Sequence, residues 1–497
     1  MGKYQELMAR LADVSNLNGA NAVLGWDQQT VMPPGGAEAR ARQLATVARI
    51  SHEIFTDEKT GKLLDEADNE VDDVYESDAV SMLRVVKQDY AQATKIPSSF
   101  VSEWASVTTL GYETWAKARA NKDFAEFAPT LEKIMDMARQ MADYLGYSDH
   151  PYDALLGQFE RGMSTQQVGE IFESHRPSLV ELIANISKKP QVNDEPLHRH
   201  FVIEQQRAFG MDVVKQLGFN VQCGIQAISV HPFCTSFGVN DVRITTRFEE
   251  NFLNPALFGM MHEAGHAMYE QGVAQHLDGT ALAGGTSLGV HESQSRLWEN
   301  IIGRSKGFWK WALPQLKQTF PHLNDVDADT FYKAINKVQR SFIRVEADEA
   351  TYNLHIILRF EIEKDLLTGK LAVKDLPKEW NARFEQYFGM TPPNDAMGVL
   401  QDIHWSAGLI GYFPTYALGN LLSVQYYNQA LKDHPSIPDE VENGKFDTLL
   451  TWLQSNIHQH GRKFTAQELT QRITGGHINA TPYMTYLQTK FGEVYGL

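Results

Sequence analysis

At 497 residues the chain is long enough to bury a large core, as one big domain or as two to three smaller ones. Its 62 Asp and Glu outnumber the 45 Lys and Arg, for a formal net charge of −17, and there is no long basic tract. A nucleic-acid or anionic-membrane surface is thereby excluded, because phosphate binding rests on clustered Lys and Arg.

The N-terminal stretch carries Lys3, Glu6, Arg10 and Asp13 where a signal peptide needs an apolar run, and Glu6 breaks the myristoylation pattern. No apolar stretch approaches the roughly 20 residues that cross a bilayer. Two cysteines, Cys223 and Cys234, are too few for a disulfide framework and form no Cys-x-x-Cys. The expected compartment is a reducing cytoplasm.

Residues 1 to about 220 read as helix after helix. Tyr4, Leu7, Met8 and Leu11 keep helical spacing, as do Leu83, Val86 and Tyr90, then Leu131, Ile134, Met135 and Ala138. Breaks fall at Met32-Pro33-Pro34-Gly35-Gly36, at Ile96-Pro97 and at His150-Pro151. No fixed-period repeat or low-complexity linker marks a domain boundary. One domain over 1–497 is expected, with a helical portion 1–220, a site-bearing portion 221–430 and a helical portion 431–497.

The texture changes at Gly224. Ile225 to Val230 and Val239 to Phe248 are rich in β-branched residues and predict a β-hairpin. Period two places Asp241, Arg243 and Thr245 on one face, where a strand edge could align an extended peptide. A surface ion pair is the plainer explanation of Asp241 and Arg243. His231, at the end of the first strand, sits where a lone histidine is usually structural.

Met260-Met261-His262-Glu263-Ala264-Gly265-His266 follows. Two histidines four apart share a helix face one turn apart, so both imidazoles can reach one ion. Glu263, about 100° around the axis, can flank the ion without binding it, the H-E-x-x-H arrangement of a zinc hydrolase with glutamate as general base. Asn254, Pro255 and Gly272 suit the ends of that helix.

Three carboxylates compete for the third ligand position. Glu270 lies on the same helix and can hardly close a tetrahedron with its own two histidines. Tyr269 and Gly272 stand where a metzincin needs Gly and His, so that class is excluded. Glu292 lies on the next predicted helix, capped by Thr286 or Ser287. It is the choice, with Glu299 in reserve, and leaves the fourth position to water.

Six stretches in order now resemble the carboxypeptidase Taq family of metallocarboxypeptidases. They are His231-Pro232-Phe233, Asp241-Val242-Arg243-Ile244-Thr245, the His262–His266 helix, His291-Glu292-Ser293-Gln294, Ile343-Arg344-Val345-Glu346-Ala347-Asp348 and Gly398-Val399-Leu400-Gln401-Asp402-Ile403-His404-Trp405. The resemblance implies a mainly α, zincin-type fold with a deep substrate groove, akin to angiotensin-converting enzyme and neurolysin. It also implies a homodimer, and removal of single residues from peptides with a free C-terminal carboxylate. The family's metal ligands fall on His262, His266 and Glu292 and its general base on Glu263. Zn²⁺ is the usual metal, and Co²⁺ is expected to substitute.

The chemistry asks for two further parts. Oxyanion stabilisation, typically about 3–4 kcal/mol in the barrier, points to His404 and then to Tyr412 and Tyr416. Recognition of a carboxylate suits an arginine fork. Arg344 is the first candidate, Arg243 the second, with His231 as a further substrate-side candidate. Arg344 falls in a helical run expected from Asp329 to Leu367, where Asp348 is an i,i+4 partner. Leu421, Leu422, Val424, Tyr426 and Tyr427 read as core or a dimer face, and His458, His460 and His477 as surface. The rival readings are an endo- or dipeptidyl-acting zinc oligopeptidase and a catalytically silent helical scaffold.

Overall fold

The computed structural model describes residues 2–497. Helices dominate, and a single three-stranded sheet is present among the described residues. The chain divides into two compact units, each built from three separate segments. The first unit takes 1–94, 194–335 and 426–475; the second takes 95–193, 336–425 and 476–497.

In the first unit the expected helical spacing produces helices Lys3–Thr30, Ala37–Thr56, Glu58–Ala67 and Asp78–Lys95. Pro34–Gly36 forms a short 3₁₀ turn between the first two, as the Pro-Pro-Gly-Gly break predicts. Leu7, Leu11, Leu63, Leu64, Met82, Leu83, Val85 and Val86 bury one face of this bundle against Val239, Val273, Leu277 and Leu282.

The sheet corrects the expected hairpin. β1 (Gln226–Ile228) does not fold back on its successor but pairs in parallel with β3 (Asp241–Thr246), Ala227 opposite Thr245. The strand between them in the chain, β2 (Cys234–Gly238), makes the antiparallel ladder with β3, giving the order β1-β3-β2. β-branched composition marks β1 and β3 but not β2, whose Cys-Thr-Ser-Phe-Gly run carries one β-branched residue, and it does not select partners. Period two holds on β3: Val242 and Ile244 are buried, while Asp241 and Arg243 are half-buried.

Helix Asn254–Gln271 follows, one residue longer at its start than expected, with Pro255 in its first turn and Gly272 behind it. Helix Leu288–Arg296 is capped by Ser287, whose hydroxyl accepts the Val290 N–H at 3.1 Å. It runs on into a wider π-helical turn over Leu297–Ile302. The last segment of this unit closes over the two helices from the other side. His458 is fully buried there, its Nε2 2.8 Å from Gln294 Oε1 and its ring against Tyr269, which corrects the expectation that it lies on the surface. Thr286 donates to the carbonyl of Phe464, and Arg462 forks onto Asp89 at 2.9 Å through both terminal nitrogens.

The second unit packs Ser98–Asn121, Ala128–Leu145 and Thr165–Ile186 with Tyr352–Leu367, Leu376–Phe388 and Thr481–Tyr495. The helical run expected from Asp329 to Leu367 is broken. Helix Ala328–Ile335 covers only its start, Arg344–Glu346 is a 3₁₀ turn, and the next helix begins only at Tyr352. Helix Pro414–Asp433 buries Leu421, Leu422, Val424 and Tyr426, which are core. No helix among the described residues is long and apolar enough to cross a membrane.

Candidate active site

Helix Asn254–Gln271 presents His262 and His266 one turn apart, and helix Leu288–Arg296 presents Glu292 toward them. Among the described residues these three form the cluster able to hold a metal ion, with ligand atoms all within 4.8 Å of one another. Glu292 Oε2 lies 3.5 Å from Nε2 of both histidines. Ligands about 2.0–2.1 Å from a tetrahedral zinc ion sit about 3.3 Å apart, close to the two edges from Glu292 to the imidazoles, so this donor set suits such an ion.

The two helices reach this spacing because Gly265 removes a side chain between them. A Cβ there would stand 2.6 Å from Ser295 Cα and 2.7 Å from the Gln294 carbonyl oxygen, contacts that no real Cβ makes. The motif's glycine thus sets the distance from the histidines to the glutamate.

Each ligand is also held from behind. Glu299 Oε2 is 2.9 Å from His262 Nδ1, so the reserve carboxylate braces a ligand from the side away from the ion position. Glu292 gives Oε1 to Arg296 Nε at 2.7 Å and keeps Oε2 for the imidazoles. Burial alone would push the Glu292 carboxyl up, but Arg296 and the two histidines hold it well below the usual carboxylate range. Burial pushes His266 down to about 4. Burial also acts downward on His262, yet Glu292 and Glu299 on its two sides raise it, so a bound cation competes there with a proton. Glu263 is buried beside the ligands, and that burial pushes it up to about 7.

The β-strand residues fall nearby in the chain and in the same unit. Arg243 forks onto Asp241 through Nε and Nη2, both at 2.8 Å, and lies against the rings of Trp26 and Phe237. Thr245 accepts from Ser229 Oγ at 2.7 Å and from the Phe233 N–H at 2.9 Å, pinning the His231-Pro232-Phe233 turn to the sheet. His231 itself is exposed.

The second unit gathers the remaining candidates around Asp402. Arg344 Nε and Nη2 each lie 2.9 Å from Oδ1 of Asp402, and Arg359 Nε lies 2.7 Å from Oδ2. Arg344 Nη1 donates to the Tyr352 hydroxyl at 2.7 Å, and its N–H donates to Gln401 Oε1 at 2.8 Å. The expected Arg344–Asp348 pair is therefore replaced. With no helix to align the two, Asp348 instead caps the Ala350 and Thr351 N–H groups. His404 is buried, lies tilted against the Phe413 ring and stands 3.4 Å from the Tyr416 hydroxyl, and burial pushes it down to about 3. The Tyr412 ring lies against His404, and the Tyr416 ring under the Arg344 guanidinium. Trp405 Nε1 and the Gly411 N–H both donate to Glu363, at 2.9 and 3.2 Å, which ties the His404 loop down at both ends.

Sequence reasoning missed Asp402, Arg359 and Glu363 as organisers. Arg359 and Glu363 stand four apart among Ile356, Ile357, Leu358, Phe360 and Ile362, the one local signal that could have exposed them.

Residues 6–491 match the family model of the carboxypeptidase Taq (M32) metallopeptidases. The chain belongs to that family. This metallocarboxypeptidase is 38% identical over 507 residues to thermostable carboxypeptidase 1 of Thermus thermophilus, with 99% of each chain covered. It is 35% identical to carboxypeptidase 1 of Bacillus subtilis over 99% of this chain and 98% of the other. Among solved structures, the M32 carboxypeptidase of Deinococcus radiodurans R1 matches with a TM-score of 0.97 and 43% identity over 100% of both chains. Metallocarboxypeptidase 1 of Trypanosoma cruzi matches with 0.94 and 31%, covering 98% of this chain and 99% of that one. The mainly helical fold with its small sheet is the one these enzymes share, and the metal-dependent carboxypeptidase activity follows from the family.

Proposed function

We propose that this metallocarboxypeptidase releases single residues, with broad specificity, from peptides with a free C-terminal carboxylate, using Zn²⁺ held by His262, His266 and Glu292. The observation that carries the reading is the pair of 3.5 Å edges from Glu292 Oε2 to the two Nε2 atoms, the right size for one tetrahedral ion. Co²⁺, with similar ligand and geometry preferences, substitutes. When bound there the ion supplies Lewis acidity, polarising a carbonyl and making water more acidic.

The protein's own groups do the rest. Glu263, with a carboxyl poised near 7, takes a proton from the attacking water and passes it to the departing nitrogen. His404 is neutral at pH 7, and it and the hydroxyls of Tyr412 and Tyr416 serve as donors to the developing oxyanion. Arginine recognises the substrate carboxylate. Arg344, held by Asp402 with 6% of its side chain exposed, is the first candidate for this fork, and Arg243, held by Asp241 with 22% exposed, is the second. His231 lies on the exposed substrate side of the sheet turn. The enzyme works as a cytoplasmic homodimer, which light scattering on the purified protein tests.

The deciding experiment follows products over time from one peptide supplied as free acid, as C-terminal amide and with a blocked N-terminus. Single residues leave the free acid in sequence, the amide resists, and the N-terminal block has no effect. Internal fragments, or a need for a free N-terminus, overturn the reading.

A further inference from the structure

The two histidine ligands are braced in different ways. Behind His262 stands a carboxylate, Glu299. Behind His266 stands another imidazole: His291 Nδ1 lies 2.6 Å from His266 Nδ1, and His291 Nε2 lies 2.8 Å from Glu270 Oε1. Two ring nitrogens this close share one hydrogen, because two lone pairs or two N–H groups would repel. A carboxylate only accepts, so His291 Nε2 carries a hydrogen. With that hydrogen turned toward Glu270, His291 offers the lone pair of Nδ1, and the shared hydrogen belongs to His266 Nδ1. His266 is left with a lone pair on Nε2, the atom 3.5 Å from Glu292 Oε2.

We propose that Glu270 and His291 form a relay of positioning residues that fixes the tautomer and the ring direction of His266, and so the affinity for the ion. The proposal rests on the reading of the triad as a zinc site. Without Glu270, His291 is free to turn its hydrogen to Nδ1, which drives the His266 hydrogen onto Nε2, where the ion needs a lone pair. The relay has its own fixings. Glu270 also accepts the Gly285 N–H at 3.1 Å, and a Cβ on Gly285 would stand 2.6 Å from His291 Cδ2 and 2.9 Å from Tyr269 Cε1. Gly285→Ala therefore displaces the His291 ring without changing a polar group.

The test measures Zn²⁺ transfer from the loaded enzyme to a chromophoric chelator at fixed pH. Outer partners of metal-bound histidine typically change affinity about 10- to 100-fold, and that loss is expected for Glu270→Gln, His291→Ala and Gly285→Ala. Glutamine fills the space of Glu270 but accepts or donates with equal ease, so a merely structural Glu270 would tolerate it. Because Glu270 acts only through His291, the double variant should bind no more weakly than His291→Ala alone. Glu270→Gln within twofold of the parent, or losses that multiply in the double variant, overturns the relay and leaves the zinc site standing. A parent that takes up no zinc brings down both. If His291→Ala does not fold, the isosteric Glu270→Gln and the apolar Gly285→Ala carry the test.

Discussion

The triad of His262, His266 and Glu292 and the cluster around Asp402 both gather ionisable side chains away from most solvent, and are wired in opposite senses. In the triad three electron-rich atoms converge, and the hydrogen-bond partners stand mostly behind them, Glu299, His291 and Arg296 each on the far side of a ligand. Around Asp402 the charges answer one another directly, two guanidiniums on one carboxylate. Converging lone pairs are costly in a low dielectric unless a cation joins them, whereas a closed ion network needs nothing more. Burial and shifted pKa values mark both places; only the direction in which the polar atoms point separates a place that binds from a place that holds shape.

The comparison can be broken most severely at Glu263. Glu263→Gln keeps the ligands, so the variant should retain one zinc by metal analysis while kcat falls about 10²–10⁴-fold, the usual contribution of a general base. Full activity in a zinc-replete variant removes Glu263 from that role. On the other side, Arg344→Ala leaves Asp402 with one guanidinium in a buried network. Thermal and denaturant unfolding should register a loss of about 3 kcal/mol, the low end for breaking a buried pair because Arg359 remains. The same variant should keep its zinc. Loss of zinc with unchanged stability would reverse the two assignments.

Gly265→Ala tests whether backbone spacing sets the triad. Overpacking two helices typically costs about 1–3 kcal/mol. Here the melting temperature should drop together with zinc affinity, since the added methyl separates Glu292 from the histidines. A destabilised variant with parental affinity would show that the ligand spacing does not depend on this contact.

The smallest expected effect lies at Glu363. Burial pushes its carboxyl up to about 7, against donors from Tyr152, Trp405 and Gly411. Between the ordinary value of 4.5 and about 7 the folded protein keeps a proton that the unfolded chain has released. This group's share of stability therefore falls as pH rises through that window and is level above it. Glu363→Gln has no such proton. Its unfolding free energy, measured by denaturant titration, should decline less than the parent's from about pH 5 to about pH 7.5, by on the order of 1 kcal/mol. Parallel pH profiles would refute the shift.

What the sequence revealed followed the reach of local geometry. His262, Glu263 and His266 are fixed by one helical turn, and Glu292 by the next helix, so these were legible. Gly265 was visible in the motif, but its purpose requires knowing which helix crosses it. Helical spacing pairs Arg344 with Asp348, four residues on, while its true partner Asp402 lies 58 residues away. His458 looked like a surface residue because Gln294 is 164 residues distant. Strand composition located the sheet, but a parallel pairing of β1 with β3 leaves no turn signature to read.

One consequence concerns the order in which a growing chain can become an enzyme. Every ligand has left the ribosome by residue 292, yet the floor beneath both metal helices arrives with His458, Arg462 and Phe464. A nascent or truncated polypeptide ending before that point displays the whole ligand signature and lacks the bed that aligns it. Truncation ahead of residue 458 should therefore weaken zinc uptake and activity without altering a single ligand.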